Sequence, residues 1–175
     1  DGIFYLEFQD LMKILKNNMF DTICHEHLEY YSVNFINSLM KKHNLRVFDH
    51  YYNKINGGSS AYFICHRNSY YKSHTSKINK IINQEIKYGI KKISTYKNFK
   101  KKIDLLKNRL NLLINNLVRD GKVIHGYAAS TKGNILLQYL NLNNKQIKFI
   151  SDRNPKKNGL YTPGSKIKII TEKES

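Results

Sequence analysis

Cysteine is scarce here: Cys24 and Cys65 are the two in 175 residues. Two thiols cannot build a disulfide framework, and a reducing cytoplasm is the compartment they fit. Long apolar runs are also missing. No stretch approaches the roughly 18–20 residues of a membrane span, so no membrane partner is expected. No signal-peptide pattern leads the chain, which opens Asp1-Gly2-Ile3-Phe4. Acid is the third shortage, with 13 Asp and Glu against 30 Lys and Arg, a formal charge of +17 and a pI near 9.8. Such a balance ordinarily points to nucleic acid or an anionic surface. A fourth shortage argues against that. Only 5 of the cations are Arg and 25 are Lys, whereas phosphate and base contacts favour the bidentate Arg fork. The 25 Lys, 21 Asn and 21 Ile are residues of AT-rich codons, and the lysines are spread along the chain. An anionic small-molecule ligand is expected, and nucleic acid is not.

What is present is enough for a core. Hydrophobic residues make up 41% and aromatics 12%, sufficient for one domain or two small ones. There is no initiating Met, and apparent strands lie at both ends, so the chain reads as an interior piece of a longer protein.

Residues 3–8 form a β-type run, and 9–18 carry Leu11, Ile14 and Leu15 at helical spacing. A polar, aromatic stretch follows over 20–31. Ser32 is a plausible N-cap for a helix with Phe35, Ile36, Leu39 and Met40 on one face, ending at Asn44. Strands are expected over 45–55 and 60–66, joined by Asn56-Gly57-Gly58, a strong hairpin signal. Two helices follow. One carries Ile78, Ile81, Ile82, Ile86, Ile90 and Ile93. The other carries Tyr96, Phe99, Ile103, Leu106, Leu110, Leu113 and Leu117, with a break expected at Gly89 and Ser94-Thr95. Asp120-Gly121 ends the second. A βαβ unit comes next: strand 122–127, loop 128–133, helix 134–140, strand 148–152, with a parallel pair expected. A last strand is expected over 166–170.

Three clusters could carry chemistry. The first is Cys24-His25-Glu26-His27 with Tyr30 and Tyr31. In extended backbone His25 and His27 point one way, Cys24 and Glu26 the other. A histidine can take a proton at neutral pH, and a neighbouring carboxylate can hold its tautomer. Adjacent residues rarely converge on one metal ion, and the zinc-protease helix motif spaces its histidines four apart rather than two. Acid–base chemistry is therefore preferred to a structural role or a metal. The second cluster is Gly126-Tyr-Ala-Ala-Ser-Thr-Lys-Gly133, between a strand and a helix. Helix N-terminal N–H groups with Ser130, Thr131 and Lys132 suit a diphosphate. The spacing is neither a P-loop nor a full dinucleotide fingerprint, since Ala128 replaces the second Gly. The third is Asp152-Arg-Asn-Pro-Lys-Lys157, at the carboxyl end of a strand, where open α/β sheets bind ligands. Arg153 and Lys157 could hold phosphate there, though a basic surface loop reads equally well.

Four segments in order resemble the S-adenosylmethionine-dependent C-methyltransferases that act on nucleotide-linked keto-sugars. They are Phe20-Asp-Thr-Ile-Cys-His-Glu-His-Leu-Glu-Tyr-Tyr-Ser32, Asn56-Gly-Gly-Ser59, Gly126-Tyr-Ala-Ala-Ser-Thr-Lys-Gly-Asn134, and Asp152-Arg-Asn-Pro-Lys with Pro163-Gly164. The resemblance implies an α/β chain in three parts. Residues 1–68 would end a class I methyltransferase sheet, 69–120 would be a helical hairpin connector, and 121–175 the first half of a Rossmann-like C-terminal domain. It implies proton abstraction beside the sugar ketone and attack of the enolate on the methyl of S-adenosylmethionine. His27 would be the base, Glu26 would orient it or bind substrate, and His25 and Cys24 would complete the catalytic group. Tyr30, Ser59, Tyr127, Ser130, Thr131, Lys132, Asn134, Asp152, Arg153 and Lys157 would contact the nucleotide-diphosphate sugar. The family often has Tyr where this chain has Cys24, and Arg where it has Ala61. A thiol is the weaker donor to a ketone oxygen, and a phosphate or sugar contact is missing at Ala61. S-adenosylmethionine would bind mainly upstream, and zinc would belong to an N-terminal domain outside these residues. The isolated chain is therefore expected to be inactive.

Two rivals belong to other classes. A non-catalytic basic module for nucleic acid or an anionic polymer would bind in a steeply salt-dependent way. A nucleotide-cofactor oxidoreductase would use Asp152 for ribose. Neither accounts for His25-Glu26-His27.

Overall fold

In the computed structural model, which describes residues 2–175, the expected strand, helix, helix and hairpin of the first stretch are all present. They are β1 (Phe4–Gln9), α1 (Leu11–Asn17), α2 (Val33–Lys42), β2 (Leu45–Asn53) and β3 (Ser59–His66). The sheet order is β1-β3-β2, with β3 antiparallel to both neighbours. A strand in the middle needs apolar residues on both faces, and Ala61, Tyr62, Ile64 and Cys65 of β3 are all buried. The helix expected at 9–18 starts two residues later because Asp10 caps it, accepting the Lys13 N–H. The hairpin strands stop at Asn53 and resume at Ser59 because Asn56 (φ 51°, ψ 32°) and Gly57 (φ 82°) turn the chain in left-handed backbone. Asn and Gly are the residues that accept this conformation at least cost.

Ser32 caps α2 as expected. The helix buries Val33, Ile36 and Met40 in one cluster with Val47, Tyr62 and Ile64 of the sheet. Each such side chain is worth roughly 1.5–3 kcal/mol when fully buried. Phe35 departs from the expected face. It is half-exposed and stacks on Tyr31, ring centroids 5.4 Å apart.

The two expected helices are α3 (Thr75–Tyr88) and α4 (Ile93–Arg119). Gly89, at φ 86°, ends α3 with its N–H on the Glu85 and Ile86 carbonyls. Ile78 and Ile81 join the core cluster, but Ile86 is 55% exposed and Glu85 is fully buried. The spacing 78, 81, 85 keeps one helical face, so a carboxylate occupies an apolar stripe. Its oxygens accept the Val33 and Asn34 N–H groups, each at 2.8 Å. These are orphan donors of the first turn of α2, which has no acid of its own. Burial lifts the Glu85 carboxyl above its usual range, and the N–H donations from Asn34 and Val33 oppose that.

A second buried polar chain crosses the sheet. Ser60 donates to Asp10 at 2.9 Å. Its oxygen is then the acceptor for His50 Nε2–H at 3.0 Å. Asp10, Ser60 and His50 are all fully buried. Burial, with help from the Lys77 charge and against Asp49, pushes the His50 ring down to about 4.

The chain divides into two compact units, one running to Lys100 and one from Lys101 to Ser175, so the division falls inside α4. In the second unit Leu110 and Ile114 of α4 pack on Leu140, Leu142, Ile147, Ile150 and Ile167. Leu113, expected on that stripe, is 54% exposed, and Ile114, four residues on from Leu110, takes its place. The βαβ unit is present: β4 (His125–Tyr127), α5 (Thr131–Leu140), β5 (Phe149–Ser151) and then β6 (Ile169–Ile170), a parallel sheet in the order β4-β5-β6. Its elements differ from expectation at their ends. The first strand is shorter, and Val123 before it is exposed. The last is shorter because Lys166, at φ 53°, still belongs to a turn closed by Thr162. Helix α5 starts three residues early because Ser130 is its cap, accepting the Gly133 N–H.

Two measurements check the buried groups. The unfolded chain takes up a proton on His50 near pH 6.5 that the folded protein refuses until about 4. Stability should therefore fall with falling pH across that window, by up to about 3 kcal/mol from this group. Asp10 and Glu85, both raised, act with the opposite sign. The His50 share is accordingly the difference between wild type and His50→Gln in urea denaturation, and the variant should lose less stability than wild type as the pH falls through that window. Glu85→Gln keeps the shape but turns an NH2 group towards one N–H donor. It should cost about 1–3 kcal/mol at pH 7, read as a lower denaturation midpoint.

Candidate active site

The segment after α1 folds tightly. Asn18, at φ 53°, ends the helix, and Phe20–Thr22 make a 3-10 turn. The chain then turns again, with the His27 N–H on the Cys24 carbonyl at 3.1 Å. Cys24 to His27 is therefore a turn and not extended backbone, and the alternation expected for extended chain does not apply. The turn leaves His25, Glu26 and His27 exposed and Cys24 half-buried as a free thiol.

His27 is held from behind. Its Nδ1 lies 2.8 Å from the Thr22 carbonyl oxygen and 3.1 Å from the Thr22 hydroxyl. A carbonyl oxygen only accepts, so Nδ1 is the donor, and in the neutral ring the lone pair is on Nε2. No hydrogen-bond partner meets Nε2 among the described residues. The same carbonyl accepts the Tyr30 hydroxyl at 3.2 Å, and the Tyr30 and His27 rings meet edge to face at 6.4 Å. Burial raises the Tyr30 phenol above its usual range. The orienting partner of His27 is thus Thr22, fully buried, and not Glu26. Behind Thr22 stands Gln9, which accepts the Thr22 hydroxyl and donates to the Asn56 carbonyl at 2.7 Å. Neither Gln9 nor Thr22 was prominent in sequence, since a Gln ending a strand and a Thr in a loop have no signature of their own. An apolar cleft of about 750 Å³ opens beside this segment, lined by Leu11, Leu28, Tyr30, Tyr31, Phe35 and Tyr96.

Ser59 is buried, and its hydroxyl holds the Ile55 carbonyl at 3.1 Å, inside the hairpin turn. Ala61, where the resemblance expects Arg, is fully buried in β3.

The second-unit residues form a site of their own. Ser130 caps α5. Thr131, Lys132 and Asn134 sit in its first turn, with Asn134 Oδ1 buried and without a hydrogen-bond partner among the described residues. Asp152 accepts the Ala129 and Asn154 N–H groups, each at 2.8 Å, and Lys157 Nζ at 3.0 Å. Lys157 also reaches the Ala129 carbonyl at 2.8 Å. The Asn154 N–H and the Lys157 ammonium hold the Asp152 carboxyl below its usual range. Arg153 pairs with Glu172 at 2.8 Å, and the exposed Tyr127 donates to the same carboxylate at 2.6 Å. Both cations expected to hold phosphate are therefore already paired with carboxylates. Lys132 has no such pairing among the described residues.

Two comparisons bear on these sites. A family model described as the C-methyltransferase C-terminal domain matches residues 54–175. The C-methyltransferase NovU of Streptomyces niveus is 34% identical over 175 residues, covering 100% of this chain and 41% of that protein. The chain thus spans about two fifths of the length of the curated relative it matches.

Asp152→Ala removes the acceptor of two backbone N–H groups. Amide exchange at Ala129 and Asn154 should speed up roughly five- to tenfold, while exchange in β1 to β3 stays as in wild type.

Proposed function

We propose that this chain, which belongs to the C-methyltransferase family, is the substrate-side part of an enzyme that methylates carbon on a nucleotide-linked keto-sugar. Residues 1–68 would close a class I methyltransferase sheet, 69–120 would connect, and 121–175 would begin a Rossmann-like domain. The antiparallel β3 between β1 and β2 supports the first assignment. The parallel β4-β5-β6 order with α5 between strands supports the last.

One observation carries the reading. In its neutral form His27 presents its lone pair on Nε2, because the Thr22 carbonyl takes the Nδ1–H. That is the form a general base must have before it acts. In the proposed step Nε2 removes the proton on the carbon beside the ketone, leaving an enolate. Carbon then attacks the methyl group, its bond to carbon forming as the bond to sulfur breaks. S-adenosylmethionine, when bound, supplies that methyl. This chain's residues fit the substrate side of the reaction: a base, the Tyr30 ring beside it, and an aromatic cleft adjoining. Glu26, exposed on the turn, would bind substrate, and His25 and Cys24 would complete the catalytic group. Tyr127, Ser130, Thr131, Lys132 and Asn134 would meet the nucleotide end. Asp152, Arg153 and Lys157 would shape that loop through their mutual pairing.

The test uses the full-length protein that carries this chain. With a nucleotide-linked keto-sugar in deuterium oxide, wild type should exchange the proton beside the ketone. His27→Ala should lose that exchange and slow methyl transfer by roughly a hundredfold or more. Methyl transfer near the wild-type rate in His27→Ala would sink the assignment.

A further inference from the structure

The hairpin turn at Asn56-Gly57 lies far from His27 in sequence, yet a single line of hydrogen bonds joins them. Its polarity can be read without ambiguity. A main-chain carbonyl only accepts, so the Gln9 atom at the Asn56 oxygen, 2.7 Å away, is the amide nitrogen. The other end of the amide, Oε1, then faces Thr22, and the Thr22 hydroxyl donates to it. With its proton committed, the Thr22 oxygen can only accept from the remaining neighbour, His27 Nδ1 at 3.1 Å. The Thr22 carbonyl at 2.8 Å makes the same demand. Two acceptors therefore converge on Nδ1, and one of them takes its direction from the turn.

The turn is itself clamped. The Asp10 N–H donates to the Gly58 carbonyl at 3.2 Å, and Gln9 pairs with Ser59 across the sheet. Met19, just before the Phe20–Thr22 turn, lies so close to Gly57 that a Cβ there would come within 2.5 Å of Met19 Cε. The left-handed Asn56 aims its carbonyl at Gln9, and the bare Gly57 lets the site segment approach.

We infer that Gln9 and Thr22 are positioning residues for His27, relaying the geometry of the Asn56-Gly57 turn into the Nδ1–H tautomer that leaves Nε2 free. The inference rests on the reading of His27 as base for its catalytic consequence, but not for the tautomer itself.

The tautomer is read directly. Nitrogen-15 spectra of the histidine-labelled full chain, at a pH where the ring is neutral, distinguish Nδ1–H from Nε2–H. The His27 signals are identified by their loss in His27→Gln. Wild type should show Nδ1 protonated. Thr22→Val keeps the carbonyl and the volume but removes the hydroxyl. Gln9→Leu removes the relay at a half-exposed site and should fold even if the buried Thr22 variant does not. Each should raise the Nε2–H population roughly two- to tenfold. Thr22→Ser should restore it. In the full-length protein the same two variants should lower kcat with KM little changed, and Thr22→Ser should recover the rate. An unmoved tautomer in both variants overturns the inference and leaves the proposed methyl transfer standing. A moved tautomer with unchanged kcat supports the relay and overturns His27 as base.

Discussion

The Asn56-Gly57 turn is the constraint from which the first unit is organised. Two successive residues in left-handed backbone reverse the chain within five residues, so β3 returns antiparallel to β2 and into the middle of the sheet. The same turn presents three groups to what precedes it. The Gly58 carbonyl takes the Asp10 N–H, the Asn56 carbonyl takes the Gln9 amide, and Gly57 leaves room for Met19. Asp10 and Gln9 end β1 and begin α1, and Met19 starts the segment with His27. A residue with a Cβ at Gly57 would meet the Met19 side-chain tip and would be strained at φ 82°.

Scarce acid is used sparingly, and two carboxylates go where no solvent reaches. Asp10 and Glu85 are fully buried in a chain of +17. Among the described residues neither pairs with a buried cation. Asp10 takes a backbone N–H and the Ser60 hydroxyl, and Glu85 takes two backbone N–H groups. Both sit at a helix N-terminus, where N–H groups are unpaired and the dipole favours negative charge. Burying a carboxylate is costly unless its oxygens are satisfied, and a helix start satisfies them without a counter-ion. Glu85 thereby ties α3 to the first turn of α2, directly after Tyr30 and Tyr31.

In the second unit the same shortage of acid has another effect. Asp152 and Glu172 each gather several donors at the carboxyl ends of β4 and β5. The cations there support the loop before they could meet a ligand. A basic composition does not by itself make a basic site. What counts is which ammonium and guanidinium groups remain unpaired after folding.

Periodicity and turn chemistry carried most of the architecture. The Asn-Gly hairpin, the Ser32 cap, the Gly89 break and the parallel βαβ unit were all legible in residue order, because each follows from local backbone preference or from a 3.6- or 2-residue repeat. The His-Glu-His cluster was legible as chemistry for the same reason: three reactive side chains in a row need no fold to be noticed. Strand ends were not legible, since Lys166 and Val123 carry no local mark of where pairing stops. Nor was the face of Leu113 against Ile114. Above all, the partners of the reactive groups lay outside the reach of sequence. Glu85 reads as a charged interruption of an isoleucine stripe, Gln9 as the end of a strand, and Thr22 as a loop residue. Hydrogen bonds between residues 13 to 52 positions apart depend on which surfaces the chain brings together. The residue types that could do chemistry were therefore determined by sequence alone. Which nitrogen of His27 carries its proton was decided by tertiary structure, because that depends on two oxygens of Thr22 and on the turn that orients Gln9 behind them.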